Sequence, residues 1–326
     1  MAPAPPDPGA PQAVFDRRAV RLHRDRAALK LADHDFLFSE VADRLTDRLN
    51  DVKRSFPVAL DLGCHGGEVA QNLARRGGVE TLVHCDLSPA MTAEAADTAR
   101  CQRHPFHTIH LSADEEALPL RAESLDLVLS NLSLHWVNDL PGALVQVRQA
   151  LKPDRLFLAA MLGEGTLQEL RAALMAAENE IEGGVSPRVS PYATVQDLGA
   201  LLQRAGFTLP VVDTETITVS YPHMFKLMHD LRGMGETGAV CDRRKTFTRR
   251  AVIVRAAEIY FDRFAGQDDC GDGRIPATFD IIYLTAWSPH PDQPQALKPG
   301  TGQTSLEQVF APDIIASAQG ENDKQS

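Results

Sequence analysis

Residues 58–70, VALDLGCHGGEVA, constrain the fold more than any other stretch: an apolar run ends on an acid and breaks at once into glycines. Val58, Ala59, Leu60 and Leu62 have the unbroken apolarity of a parallel strand buried on both faces. Gly63, Gly66 and Gly67 permit a sharp turn and a close approach of bare backbone to a ligand. Helical spacing follows from Glu68 to Arg76 and stops at Gly77-Gly78. Strand, glycine turn and helix in that order make the first half of a nucleotide-type crevice. The pattern G-x-G-x-x-G is absent, because His65 stands where one of its glycines would be. Alone, the stretch suits a ligand-binding turn and an ordinary strand-to-helix connection equally well.

The following segments repeat the device. VETLVHCDLSPAM is a second apolar run ending at Asp86, 25 residues beyond Asp61, where a carboxylate accepts both hydroxyls of a ribose. Ser88-Pro89 then reads as an N-cap with proline at the first helical position. FHTIHLSADEEALPL ends a third run at Ala113-Asp114-Glu115. LDLVLSNLSLHWVNDL puts Asn131 after a fourth, and LFLAAML, residues 156–162, supplies a fifth. Strands alternating with helical segments predict a doubly wound, Rossmann-like α/β sheet with its ligand at the strands' carboxyl ends. TETITVSY and ATFDIIYLTAW add an antiparallel pair that closes a seven-stranded sheet.

On these residues the chain resembles the class I S-adenosylmethionine-dependent methyltransferases over roughly residues 36–290. Asp61, Gly63 and Gly67 match the family's first motif, with His65 a departure from its usual glycine. Asp86 matches the ribose acid and Asp114 the acid that meets the adenine amino group. Asn131 matches the start of the motif after the fourth strand, and Leu87 and Glu115 flank these positions. The resemblance therefore implies S-adenosylmethionine as cofactor, held by these eight residues. Five blocks, FDRRAVRLHRDRAA, LSADEEALPL, SNLSLHWVNDLPGAL, SPRVSPYATVQDLGALLQRAGF and HDLRGMGE, narrow it to the branch of mitochondrial complex I assembly factors. That branch is described as hydroxylating a protein arginine on a complex I subunit, which implies a protein partner for this chain. The malonyl-carrier-protein O-methyltransferases are a more distant likeness.

Composition fits an enzyme with a substantial core: 326 residues, of which 44% are hydrophobic. A net charge of -11 argues against nucleic acid as the main partner. No apolar run reaches the length of a membrane span, so stable membrane insertion is not expected. Five cysteines without paired metal spacing suit a reducing compartment, and with no signal-peptide pattern a cytoplasmic location is expected. Cys64 and Cys85 read as small buried fillers. Nothing in the sequence sets the oligomeric state.

The proline-rich residues 1–13 are expected to be disordered, and 291–326 to form a flexible tail. Between 14 and 35 a basic helix carries Arg17, Arg18, Arg21, Arg24, Arg26 and Lys30. It suits a solvated surface, a cover for the crevice or a grip on an acidic partner. Insertions near 183–195 and 222–275, at the ligand edge, read as a helical lid.

Candidate chemistry falls on few side chains. His135 follows the fourth strand and suits either a general base or a hydrogen-bonded wall residue. Glu236, between the glycines of RGMGE and the lid, suits either a receptor for a substrate guanidinium or a solvated loop acid. Trp136, Tyr192 and Arg232 are the expected substrate contacts. No metal site is expected: His104, His107 and His110 run into a strand, where residues three apart face opposite sides. No two-histidine-one-carboxylate pattern stands out in the linear sequence. Methyl transfer to a small carboxylate acceptor and a non-catalytic chaperone role remain open beside arginine modification.

Overall fold

The computed structural model describes residues 13–266 and 273–294. A seven-stranded sheet runs in the order β3-β2-β1-β4-β5-β7-β6. Its strands are β1 (Val58–Leu62), β2 (Thr81–Asp86), β3 (His107–Ser112), β4 (Leu125–Asn131), β5 (Leu151–Leu162), β6 (Thr208–Tyr221) and β7 (Ile275–Trp287). The first five are mutually parallel, and β7 pairs antiparallel with both β5 and β6. The strand order reverses between β1 and β4, which opens a crevice at their carboxyl ends.

Register explains why the acids gather there. Asp61 pairs with His84 and Leu62 with Cys85, so Asp86 lies one step beyond the end of β1. Asp86 in turn pairs with Ser112, which places Asp114 and Glu115 just past β3. Alternation along the strands feeds two apolar layers. Ala59, Leu127 and Leu129 join a core with α2 (Phe36–Asp47), α6 (Gln168–Glu182) and α9 (Arg250–Phe264). Leu60, Leu62 and Val128 join the opposite core, under α5 (Leu140–Ala150) and α7 (Val195–Arg204).

Boundaries differ from expectation where local geometry overrides spacing. Helix α3 covers only Glu68–Leu73, because Ala74 turns to a positive φ of 48° and a short 3-10 turn, Arg76–Gly78, follows. Strand β6 starts at Thr208, since β7 offers a ladder partner as far as Trp287. The basic segment forms α1 (Arg17–Ala27), capped by the Asp16 side chain, and continues as a 3-10 turn over Ala28–Asp33. Helix α4 (Pro89–Cys101) starts from the Ser88 cap, and α8 (Met224–Gly233) lies in the second insertion. The expected disorder of residues 1–13 falls, but for residue 13, outside the described residues, as does 295–326 of the expected tail. No helix among the described residues is long and apolar enough to cross a membrane.

Candidate functional site

The crevice begins at the turn after β1. Gly63 takes φ +75°, and a Cβ there would overlap the Ser133 side chain, so the turn and the loop after β4 touch without a side chain between them. Asp61 is fully buried; one oxygen lies 3.1 Å from His84 Nδ1 and the other has no partner. Asp86 is also fully buried and accepts from the backbone N–H groups of Ser88 at 2.8 Å and His65 at 3.2 Å. Glu115 accepts from Ser133 Oγ at 3.0 Å. Leu87 packs on the small cluster of Phe15 and Trp136.

Helix α1 lies across this acid set. Arg24, only 1% exposed, reaches Asp86 at 3.2 and 3.3 Å, Glu115 at 3.2 Å and Ser133 Oγ at 2.9 Å. Arg17 donates to Asp114 at 2.7 Å, to Glu115, and to the Trp136 carbonyl at 3.2 Å. Arg18, Arg21, Arg26 and Lys30 do face solvent, but the helix as a whole is not a surface helix. Burial works to raise the Glu115 pKa, yet the Arg24 and Arg17 guanidiniums bring it down to about 2. Burial works against charge on Arg24 as well, and Asp86, Glu115 and Glu236 more than reverse it. Glu68, buried beside Asp61 with no such cation, is pushed up to about 8, chiefly by burial.

These contacts test whether S-adenosylmethionine fits. The acids have the right chemistry for a ribose and an amino group, but Asp86 and Glu115 already hold a guanidinium between them. Cofactor and Arg24 cannot share that place, so the residues as arranged do not accommodate it. His65 adds to the crowding. Its own backbone takes φ 45°, its ring stacks on Phe38 at 4.3 Å, and Nε2 lies 3.2 and 3.3 Å from the Asn131 and Leu132 carbonyls. Asn131 turns its amide to the Phe38 carbonyl, at 2.8 Å, and so ties β4 to α2.

Four expected residues meet beside the crevice. His135 Nε2 lies 3.2 Å from Glu236, although 101 residues separate them. Trp136 Nε1 donates to both Glu236 oxygens at 3.0 and 3.1 Å, and the Tyr192 ring stands edge-on to His135 at 5.7 Å. Burial raises the Glu236 pKa, but His135, Arg24 and the Trp136 N–H together hold it below the usual carboxylate range. His135 Nδ1 is buried with no partner among the described residues. Glu236 therefore is not a solvated loop acid.

A cleft of ≈ 390 Å³ opens from Glu236, walled by Leu170, Leu174, Tyr192, Leu231 and Ile253, with Arg232 also in its lining. Arg188, Arg243 and Arg244 line the same cleft, each held in an ion pair. Glu178 pairs with Arg188, Glu180 with Arg255 and Glu182 with Arg244. That leaves Glu236 as the acid that reaches the cleft, while Arg232 has no ion-pair partner among the described residues.

One cluster has metal-like composition: His34, His229 and Asp230, with ligand atoms within 4.8 Å of one another. Asp230 is already met by Lys226 Nζ at 2.6 Å and His34 Nδ1 at 2.9 Å, which makes it an ion-pair cluster fixing α8 to the turn after α1. His110 stacks on His84 at 5.1 Å, and His104 on Phe106. Sequence reasoning missed Ser133, and it named Arg17 and Arg24 only as members of a basic helix with a cover for the crevice among its readings. A signal did exist for the arginines: seven residues apart, they share one helix face.

A family model described as a methyltransferase domain matches residues 60–159. "Arginine-hydroxylase NDUFAF5, mitochondrial" of Danio rerio is 42% identical over 298 residues, 90% of this chain and 88% of that protein. "Malonyl-[acyl-carrier protein] O-methyltransferase" of Halorhodospira halophila is 35% identical over 281 residues, 86% of this chain and 90% of that protein. Among solved structures, Haemonchus contortus phosphoethanolamine N-methyltransferase 2 in complex with S-adenosyl-L-methionine has a TM-score of 0.52 at 17% identity. That match covers 83% of this chain and 60% of the other, and it bears on the fold alone. The expected cytoplasmic location is overturned, because the arginine-hydroxylase relatives are named as mitochondrial. Reduced cysteines and a missing secretory pattern do not distinguish a cytosol from a mitochondrial matrix.

Proposed function

The chain belongs to the arginine-hydroxylase NDUFAF5 family within the class I methyltransferase superfamily, and from that premise we propose that it modifies an arginine of a respiratory complex I subunit by hydroxylation, a two-electron oxidation whose oxygen atom would come from molecular oxygen with an external two-electron reductant. The observation that carries the reading is Glu236, a largely buried carboxylate kept ionised at a cleft whose arginines, Arg232 apart, are already held in ion pairs. A carboxylate offers about four lone-pair sites, and Trp136 and His135 leave some of them for an incoming guanidinium. His135 and Trp136 hold Glu236 in place, Tyr192 walls the cleft, and Arg232 meets an acidic group flanking the substrate arginine. The insertions near 183–195 and 222–275 act as the lid over it.

S-adenosylmethionine is the cofactor that the superfamily implies, facing Asp61, Gly63, Gly67, Asp86, Leu87, Asp114, Glu115 and Asn131. No step is assigned to it here, because Arg24 stands among those residues.

A second reading has one observation in its favour. Arg232, without an ion-pair partner among the described residues, suits the carboxylate acceptor of a malonyl-carrier methyltransferase. Its exposed position, against the largely buried carboxylate of Glu236, makes it the weaker anchor.

The test is Glu236→Gln, which keeps the Trp136 contact and removes the charge. Modification of the subunit, read by mass spectrometry, should fall about tenfold to a hundredfold, from a lost charge-assisted hydrogen bond of about 1.5–3 kcal/mol. Modification at the wild-type level would remove Glu236 from the mechanism.

A further inference from the structure

The crevice that the fold reserves for a ligand is filled by the chain's own cation. Arg24 sits where three strand ends converge, with Asp86 on one side and Glu115 and Ser133 on the other. Its contacts are nevertheless poor for an ion pair. A single nitrogen, Nη1, is shared among three carboxylate oxygens at 3.2–3.3 Å, where charge-assisted bonds are typically about 2.7–2.9 Å. Arg24 Nε is buried with no partner among the described residues. Arg17, by contrast, reaches Asp114 at 2.7 Å.

We infer that Arg24 is an internal occupant of the crevice that competes with S-adenosylmethionine, so that the middle of α1 must move out before the cofactor enters. The inference rests on the reading of this crevice as the cofactor site. Charge makes the exchange feasible. S-adenosylmethionine carries a sulfonium and an ammonium against one carboxylate, a net positive charge, so it replaces the cation that Asp86 and Glu115 lose.

The anchoring of α1 decides what moves. Phe15 holds the start of the helix through a bridge to Val240, hydrogen bonds with Asn138 and an edge-on contact with Trp136 at 5.3 Å. Ala27, Ala28 and Leu31 hold its end in the main core. The helix passes close over Gly235, where a Cβ would lie 3.3 Å from the Arg24 Cα. That glycine, at φ +82°, lies one residue before Glu236, so a shift of α1 is felt at the cleft. Cofactor entry and the position of Glu236 are coupled through this contact.

The experiment measures S-adenosylmethionine binding to the full-length chain by calorimetry, for wild type and Arg24→Gln. Glutamine is shorter and uncharged, and it keeps a donor for Ser133. The expected result is a gain in affinity of at least tenfold in the variant. Equal or weaker binding by the variant overturns the inference while leaving the crevice as the cofactor site. Binding by neither form overturns the cofactor reading and the inference with it. Because the variant leaves two buried carboxylates without their cation, hydrogen exchange on wild type provides the second arm. Amides of residues 17–27 should exchange faster at saturating S-adenosylmethionine, and unchanged or slower exchange would contradict the competition.

Discussion

The crevice above β1–β3 and the cleft beside Glu236 are neighbours built on opposite principles. In the crevice, three acids face two arginines of α1, all from this chain, and the site is closed by its own charges. In the cleft, one ionised acid is held by His135 and the Trp136 N–H, and it is the one acid among the described residues of the lining. A compensated cluster gives stability and little reactivity; an acid with lone pairs left over at an open cleft gives a binding site. Motif position alone would have ranked the two the other way round.

The contrast is easiest to break at Glu115. Glu115→Ala removes the carboxylate that Arg24, Arg17 and Ser133 share, leaving two guanidiniums with only Asp86 and Asp114 to compensate them. Urea denaturation should show a loss of about 3–5 kcal/mol. A loss under about 1 kcal/mol would mean that the cluster relaxes without cost.

Glu68 tests the same region from the opposite sign. Its folded pKa, about 8, lies above that of the unfolded chain, near 4.3. Its stabilising share is therefore complete below the unfolded value and is lost progressively as pH rises toward 8. Glu68→Gln should be more stable than wild type by a few kcal/mol at pH 8, and the difference should vanish near pH 4. A difference independent of pH would place the Glu68 charge elsewhere.

In the cleft the expected stability changes are smaller. Glu236→Gln should cost only about 1 kcal/mol, because the Trp136 hydrogen bond survives. Glu236 has a depressed pKa, so its contribution is present above the unfolded value and fades as pH falls through the folded one. A thermal-denaturation pH profile that is flat in this acid range for wild type would contradict that pairing.

The smallest effect belongs to His65. Changing it to glycine relieves a positive φ that costs about 1–3 kcal/mol and loses a stack on Phe38 worth about 0.5–1.5 kcal/mol. Chemical denaturation should place the variant within about 1 kcal/mol of wild type. A larger loss would show that the imidazole, not the backbone turn, holds the crevice together.

What was legible in the sequence follows the same division. Asp61, Asp86 and Asp114 could be placed because buried parallel strands are continuous apolar runs, and an acid marks where each run meets the ligand edge. The closing antiparallel pair was legible from alternation, although β6 proved six residues longer at its start than the motif suggested, because its partner extends it. His135 and Glu236 were each visible as candidates, but their meeting was not, since no local pattern relates residues 101 apart. Arg24 was legible only as part of a basic helix for which a cover over the crevice was one of three readings. A run of basic residues suits a solvated face equally well, and only tertiary contact shows that two of the six, Arg17 and Arg24, turn inward onto three acids. His65 was legible as a departure from the usual glycine, but the sequence did not show that its own backbone takes the left-handed conformation a glycine would adopt there.

The central claim is that the Glu236 cleft receives a substrate arginine. It is tested most directly by mass spectrometry of complex I from cells lacking this chain, resupplied with wild type or with Glu236→Gln. The account predicts one arginine carrying an added oxygen atom with wild type, absent without the chain and sharply reduced with the variant. An arginine equally modified in all three would contradict it.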